Sequence, residues 1–124
     1  MGVKPVSRDV NELVPELQKL FELFSIEMDK AGIPFMVTET RRTQERQDEL
    51  WAQGRTKSGS IVTWTRKSKH IEGKAFDIAI LENGKPTWKE SLYFKPGEIG
   101  EGVGLRWGIN IGGKRHDLPH FELP

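Results

Sequence analysis

The chain has 124 residues, 35% apolar and 30% charged, which suits one soluble globular domain with a single core. Its 19 Lys and Arg against 18 Asp and Glu leave a net charge of +1, so no global field favours nucleic acid. There is no cysteine, which excludes disulfides, thiolate chemistry and Cys-ligated structural zinc, and no apolar run reaches the roughly 18 residues of a membrane span.

The first residues, MGVKPVSRDVNEL, lack the apolar stretch of a secretory signal and the Ser or Thr of a myristoylation site. Residues 7–13 read as a short helical turn opened by Ser7. Pro15 suits the first position of a helix, where its missing N–H costs nothing. Leu17, Leu20, Phe21, Phe24 and Met28 then follow helical spacing, and Gly32 marks the stop. Residues 33–40, IPFMVTET, read as a strand with Phe35 and Val37 on one face and Met36 and Thr38 on the other. Thr43 is placed to cap a second helix, QERQDELWAQ, with apolar contacts from Leu50 and Trp51 and an end at Gly54.

Residues 54–69 form a polar, basic stretch read as a long loop, a length that in a compact domain usually marks function or mobility. Arg55, Lys57, Arg66, Lys67 and Lys69 cluster there, either as a solvated surface or as an attraction for an anionic polymer. KAFDIAIL is a short buried strand, and Asn83-Gly84 signals a hairpin turn. Residues 96–106 read as a helix, and Phe121 and Leu123 as a final strand. Helices followed by a small antiparallel sheet make an α+β domain.

The three histidines are His70, His116 and His120. Each alone fits a structural role as well as a ligand role, and residue types leave both open. A catalytic zinc takes three protein ligands and keeps one open position. His70, Asp77 and His120 would supply two imidazoles and a carboxylate, with Gly73 turning the chain between the first two. Such a site would polarise a carbonyl and acidify water. Hydrolysis also needs a base that is not a ligand, and Asp117 is the candidate, although Asp before Leu-Pro also suits an Asx-type turn. HDLPH, residues 116–120, resembles a His-Glu-x-x-His zinc helix. Pro119 would cost that helix about 3 kcal/mol, so it is not expected. His116 is then a neighbour of the site, as a substrate or oxyanion contact or by accident.

These residues carry a resemblance. SKHIEGKAFDI resembles the Ser-x-His-x-x-Gly-x-Ala-x-Asp signature of the M15 metallopeptidases, and DLPHFEL resembles their closing Asp-x-x-His segment. TETRRTQERQDELWAQGRT, residues 38–56, is similar to the family's strand-Arg-Thr-helix segment with its Gln-x-x-Leu and Gly-Arg-Thr tail. Three motifs in order cover about Leu13 to Leu123. The pattern is most similar to L-alanyl-D-glutamate endopeptidases of phage endolysins and related cell-wall enzymes.

The resemblance implies the small DD-peptidase-like fold shared with the hedgehog signalling domain, an antiparallel sheet with helices packed on one side. It implies one zinc per chain on His70, Asp77 and His120, with Asp117 as general base. It places Arg42 on the substrate or the developing oxyanion and Ser68 on a supporting or substrate hydrogen bond. Thr40-Arg41 stands where the family often has Gly-Tyr, which makes Arg41 a rival substrate contact. It implies a peptidoglycan stem peptide as partner; the charge balance and the lack of a long apolar run point to no nucleic acid and no membrane insertion, and a monomer is expected. One peptidase domain over 1–124 is expected, with 1–6 a flexible N-terminus and no separate wall-binding domain. Without a signal peptide, the chain is expected to be made in the cytoplasm and to reach the wall by release or export, as a phage lysin does. Alternatives are a D-alanyl-D-alanine carboxypeptidase or dipeptidase of the same family, or a non-catalytic peptidoglycan-binding module.

Overall fold

The computed structural model describes residues 6–63, 67–110 and 117–124. Helix α1, Pro15–Lys30, starts at its proline and buries Leu17, Phe24 and Met28, the stripe that the periodicity marks. The turn before it is a 3-10 helix, Val10–Glu12. Its cap is Asp9 rather than Ser7, because the Asp9 carboxylate accepts from the Asn11 N–H at 2.9 Å. The Ser7 carbonyl instead accepts from the Thr40 N–H at 2.8 Å and ties the start of the chain to the end of the first strand.

That strand, β1 (Phe35–Glu39), pairs antiparallel with β2 (Ala75–Glu82). Phe35 opposes Ile80 and Val37 opposes Ile78, but the next pair is Glu39 with Asp77. The extra residue is a β-bulge, and it moves Glu39 off the face of Phe35 and Val37 onto the face of Asp77. After the Asn83-Gly84 turn, β3 (Lys85–Thr87) returns along β2. β5 (His120–Glu122) pairs with the start of β2, and β4 (Arg106–Trp107) pairs with β5. The five-stranded sheet runs β1-β2-β5-β4, with β3 also bonded to β2.

One face carries the core. Phe76, Ile78, Ile80, Trp107 and Phe121 are buried there with the α1 residues. Phe24 of α1 lies 5.8 Å from the Phe76 ring and 5.0 Å from the Phe121 ring. Helix α3 occupies Phe94–Val103, earlier than the expected 96–106, because buried Leu105 leads directly into β4. α3 approaches so closely that a Cβ on Gly97 would lie 2.2 Å from the Trp107 ring, and one on Gly100 would lie 2.4 Å from the Phe121 ring.

Helix α2, Gln44–Ala52, is capped as expected by Thr43, whose hydroxyl accepts from the Arg46 N–H at 3.1 Å. Leu50 and Trp51 are only half-buried; the buried residue is Gln47. The helix is therefore seated by a polar side chain rather than by an apolar pair. Past α2 the chain runs through turns with a bridge between Gln53 and Lys57, and Arg66 of the basic cluster lies outside the described residues. Among the described residues, no helix is long and apolar enough to cross a membrane.

Candidate metal centre

On the sheet face opposite the core, register places Glu39, Asp77 and His120 side by side across β1, β2 and β5. His70 comes from the loop before β2, and Gly73, at φ +70°, makes the turn between them. The His70 backbone carbonyl accepts from the Arg42 N–H at 2.8 Å, which fixes that loop against the end of β1. Asp77 Oδ1 lies 3.2 Å from His70 Nε2 and 2.9 Å from His120 Nδ1. The three candidate ligand atoms all fall within 4.8 Å of one another.

The partners of the far ring nitrogens decide which atoms face the site. His70 Nδ1 lies 2.7 Å from the Thr40 carbonyl. A carbonyl only accepts, so Nδ1 carries a proton, and Nε2 is the atom turned toward Asp77 and open to a cation. His120 Nε2 lies 2.8 Å from Glu122 Oε1, so it too donates outward and leaves Nδ1 for the site. Once a cation displaces the protons shared with Asp77, two imidazole nitrogens and one carboxylate oxygen, aimed at one point by partners behind them, fit a divalent ion such as zinc.

The electrostatics fit as well. Burial opposes the Asp77 charge, but His70 and His120 outweigh it and hold the carboxyl well below the usual range. Burial likewise opposes a charged His120, yet hydrogen bonds to Asp77 and Glu122, with the charges of Asp77 and Asp117, push it up to about 10. At neutral pH the metal-free His120 therefore holds a proton on Nδ1 that a cation must displace. Zinc uptake at pH 7 is expected to release that proton, and apparent affinity to rise about tenfold per pH unit until the imidazolium titrates. Titration calorimetry in buffers of unlike ionisation enthalpy reads this directly. A binding enthalpy independent of buffer would mean that His120 is already neutral.

Asp117 is exposed, three residues before His120, and near enough for its charge to add to that at His120. Its turn is pinned by three hydrogen bonds to main-chain carbonyls. The His120 N–H donates to the Asp117 carbonyl at 3.1 Å, and the Ile78 N–H to the Pro119 carbonyl at 3.0 Å. Trp107 Nε1 donates to the Leu118 carbonyl at 2.8 Å. A Cβ on Gly108 would lie 1.9 Å from the Asp117 carbonyl oxygen, so only glycine fits beside this turn. His120 belongs to a strand and residues before it to a turn, so HDLPH forms no zinc helix; His116 lies outside the described residues.

A model of the phage L-alanyl-D-glutamate peptidase family matches residues 1–123. The chain belongs to that family. The Bacillus subtilis (strain 168) protein "Peptidoglycan L-alanyl-D-glutamate endopeptidase CwlK" is 37% identical over 110 residues, 74% of this chain and 62% of CwlK. The chain thus spans less than two thirds of that relative's length. Among solved structures, the Serratia marcescens L-Ala D-Glu endopeptidase ChiX matches with a TM-score of 0.76 at 22% identity, covering 98% of this chain and 90% of ChiX. VanYB in complex with D-alanine-D-alanine matches at 0.66 and 17%, covering 99% of this chain and 78% of VanYB. At these identities both structures speak for the α+β fold alone.

Against the roles expected from the family resemblance, this phage L-alanyl-D-glutamate peptidase family member places its polar residues as follows. The Ser68 hydroxyl accepts from the His70 N–H at 3.2 Å, so it shapes the loop that presents His70. Arg41 is exposed. The Arg42 guanidinium is clamped: Nε and Nη2 donate to the two Glu39 oxygens at 3.1 and 2.5 Å, and Nη1 donates to Gln47 Oε1 at 2.7 Å. Glu39, beside Asp77, thus holds a guanidinium at the edge of the site. Sequence reasoning missed Glu39, Glu122 and Gly108. Only for Glu122 was a signal available, since it follows His120 by two and so shares its face of the strand.

The clamp makes Arg42→Ala a double injury. Both side chains of the pair are about nine-tenths buried. Removing one partner of a buried pair costs about 3–5 kcal/mol, and Arg46, 3.8 Å from Glu39, favours the lower end. Urea denaturation should show this loss, and Glu39→Gln in the same chain should recover much of it. If Arg42 also acts on substrate, the double variant stays about 10²–10³ down in kcat/KM. Activity recovered together with stability would limit Arg42 to a structural role.

Proposed function

We propose that the chain is a zinc-dependent peptidoglycan hydrolase that cleaves the L-alanyl-D-glutamate bond of the stem peptide. The observation that carries this reading is the convergence of His70 Nε2, Asp77 Oδ1 and His120 Nδ1 in a member of the phage L-alanyl-D-glutamate peptidase family. Zinc held by these three atoms would supply Lewis-acid polarisation of the scissile carbonyl.

The remaining work belongs to the chain. Asp117, exposed to solvent, takes a proton from the attacking water and passes it to the departing amine. Arg42, oriented by Glu39 and Gln47, offers positive charge to the developing oxyanion or a substrate carboxylate. Thr40 and Glu122 keep the two imidazoles in the tautomers the site needs. The basic segment before His70, with Arg41, gives an anionic stem peptide an attractive wall. The protein acts as a monomer on the cell wall after release or export.

Digestion of defined muropeptides, with mass analysis of products, tests the reading. Scission between L-alanine and D-glutamate, abolished by chelator and restored by zinc, is expected. Release of a terminal D-alanine would assign a carboxypeptidase instead. Retention of peptidoglycan without any product by the zinc-loaded chain would leave a binding module.

A further inference from the structure

We propose that Glu122 is a positioning residue for His120, and that Lys69 holds Glu122 in place, so that this tether sets how firmly the site keeps its cation. The inference rests on the metal-centre reading above. Glu122 lies on the same face of β5 as His120 and is only 7% exposed. A carboxylate so buried is costly unless both oxygens are paired. Here Oε1 lies 2.8 Å from His120 Nε2 and Oε2 lies 3.0 Å from Lys69 Nζ.

The tether also joins the two segments that carry the histidines. Lys69 immediately precedes His70, and its ammonium donates to the Leu123 carbonyl as well as to Glu122. The Leu123 N–H in turn donates to the Lys74 carbonyl at 3.0 Å. Relative position of the loop and β5 is therefore set by a charged contact and a backbone contact together.

The chemistry explains why a carboxylate is used. An anion can only accept, so when a cation displaces the Nδ1 proton, His120 keeps the one on Nε2 and turns the Nδ1 lone pair to the site. An amide in the same place can turn and donate to Nε2, which shifts the proton to Nδ1 and blocks coordination. The negative charge also makes the imidazole a stronger donor to a cation. Among the described residues, His70 has the neutral Thr40 carbonyl behind it where His120 has a carboxylate, so the two histidines are supported unequally.

Zinc affinity by chelator competition, with ¹⁵N imidazole shifts of the zinc-loaded protein, tests the tether. Glu122→Gln is expected to weaken zinc binding by about 10–100-fold and to move the His120 Nε2 resonance while His70 stays in place. Lys69→Met should weaken binding by less, and Lys69→Arg should restore it. Lys69 is 35% exposed, so its variants decide the matter even if Glu122→Gln does not fold. Unchanged affinity and unchanged His120 shifts in Lys69→Met or in folded Glu122→Gln would overturn the inference while leaving the metal centre standing. A wild-type chain that takes up no zinc would remove the metal centre itself, and the tether with it.

Discussion

Asp77→Ala is expected to abolish zinc retention and turnover together. Asp77 Oδ1 sits between the two imidazoles, within hydrogen-bond reach of both, and is the anionic member of the three candidate ligands. Losing a residue that merely supports a ligand costs about 10–100-fold in metal affinity, so losing a ligand that also brings charge should exceed 100-fold. The carboxyl is held well below the ordinary carboxylate range, so at neutral pH it is ionised even without metal. Its share of stability is present above that range and is lost only as pH falls through its depressed folded value. The comparison at pH 7 therefore reports coordination, not titration. Metal analysis after gel filtration, beside an activity assay, reads the outcome. One zinc per chain and persistent turnover in Asp77→Ala would sink the ligand set.

Asp117→Asn should separate proton transfer from metal binding. The substitution keeps the size of the side chain and removes its basicity. Zinc should stay at one per chain, while turnover at saturating substrate falls by roughly 10²–10⁴, the contribution of a positioned proton acceptor. Its turn is held by main-chain carbonyls that bond to Trp107, Ile78 and His120, so the variant should fold as the wild type does. If Asp117 served only the turn, asparagine would serve equally well. Near wild-type turnover in the zinc-loaded variant would take Asp117 out of the mechanism.

Much of this architecture was legible because local signals agreed with the tertiary packing. The α1 stripe, the Thr43 cap and the Asn83-Gly84 turn each follow from spacing or a single residue type. The grouping of His70, Asp77 and His120 was legible because histidine is scarce and the motif spacing is specific. What escaped depended on a break in the period or on partners far apart along the chain. Strict alternation from Phe35 puts Glu39 on the core face, and only the bulge reverses it. Glu122 looked like an ordinary polar residue between Phe121 and Leu123, because its partner Lys69 is distant along the chain. Gln47 seats α2 in place of Leu50 and Trp51 because the buried partner waiting for it is the Arg42 guanidinium. α3 ended early because Leu105 and Trp107 were needed by the sheet.

The glycines of α3 bear on how the protein opens. Gly97, Gly100 and Gly102 each weaken a helix by about 1 kcal/mol relative to alanine, so this segment has little intrinsic tendency to be helical. What it gains is an approach to Trp107 and Phe121 that no side chain would permit. Such a helix lasts only while the sheet edge beneath it lasts. α3 and β4–β5 should then form one cooperative unit whose amides exchange with solvent at a common rate, rather than a helix that frays alone. Slow exchange at β5 with fast exchange throughout α3 would show that the two come apart. A single unit would mean that His120 leaves its place only when the whole far edge of the domain unfolds.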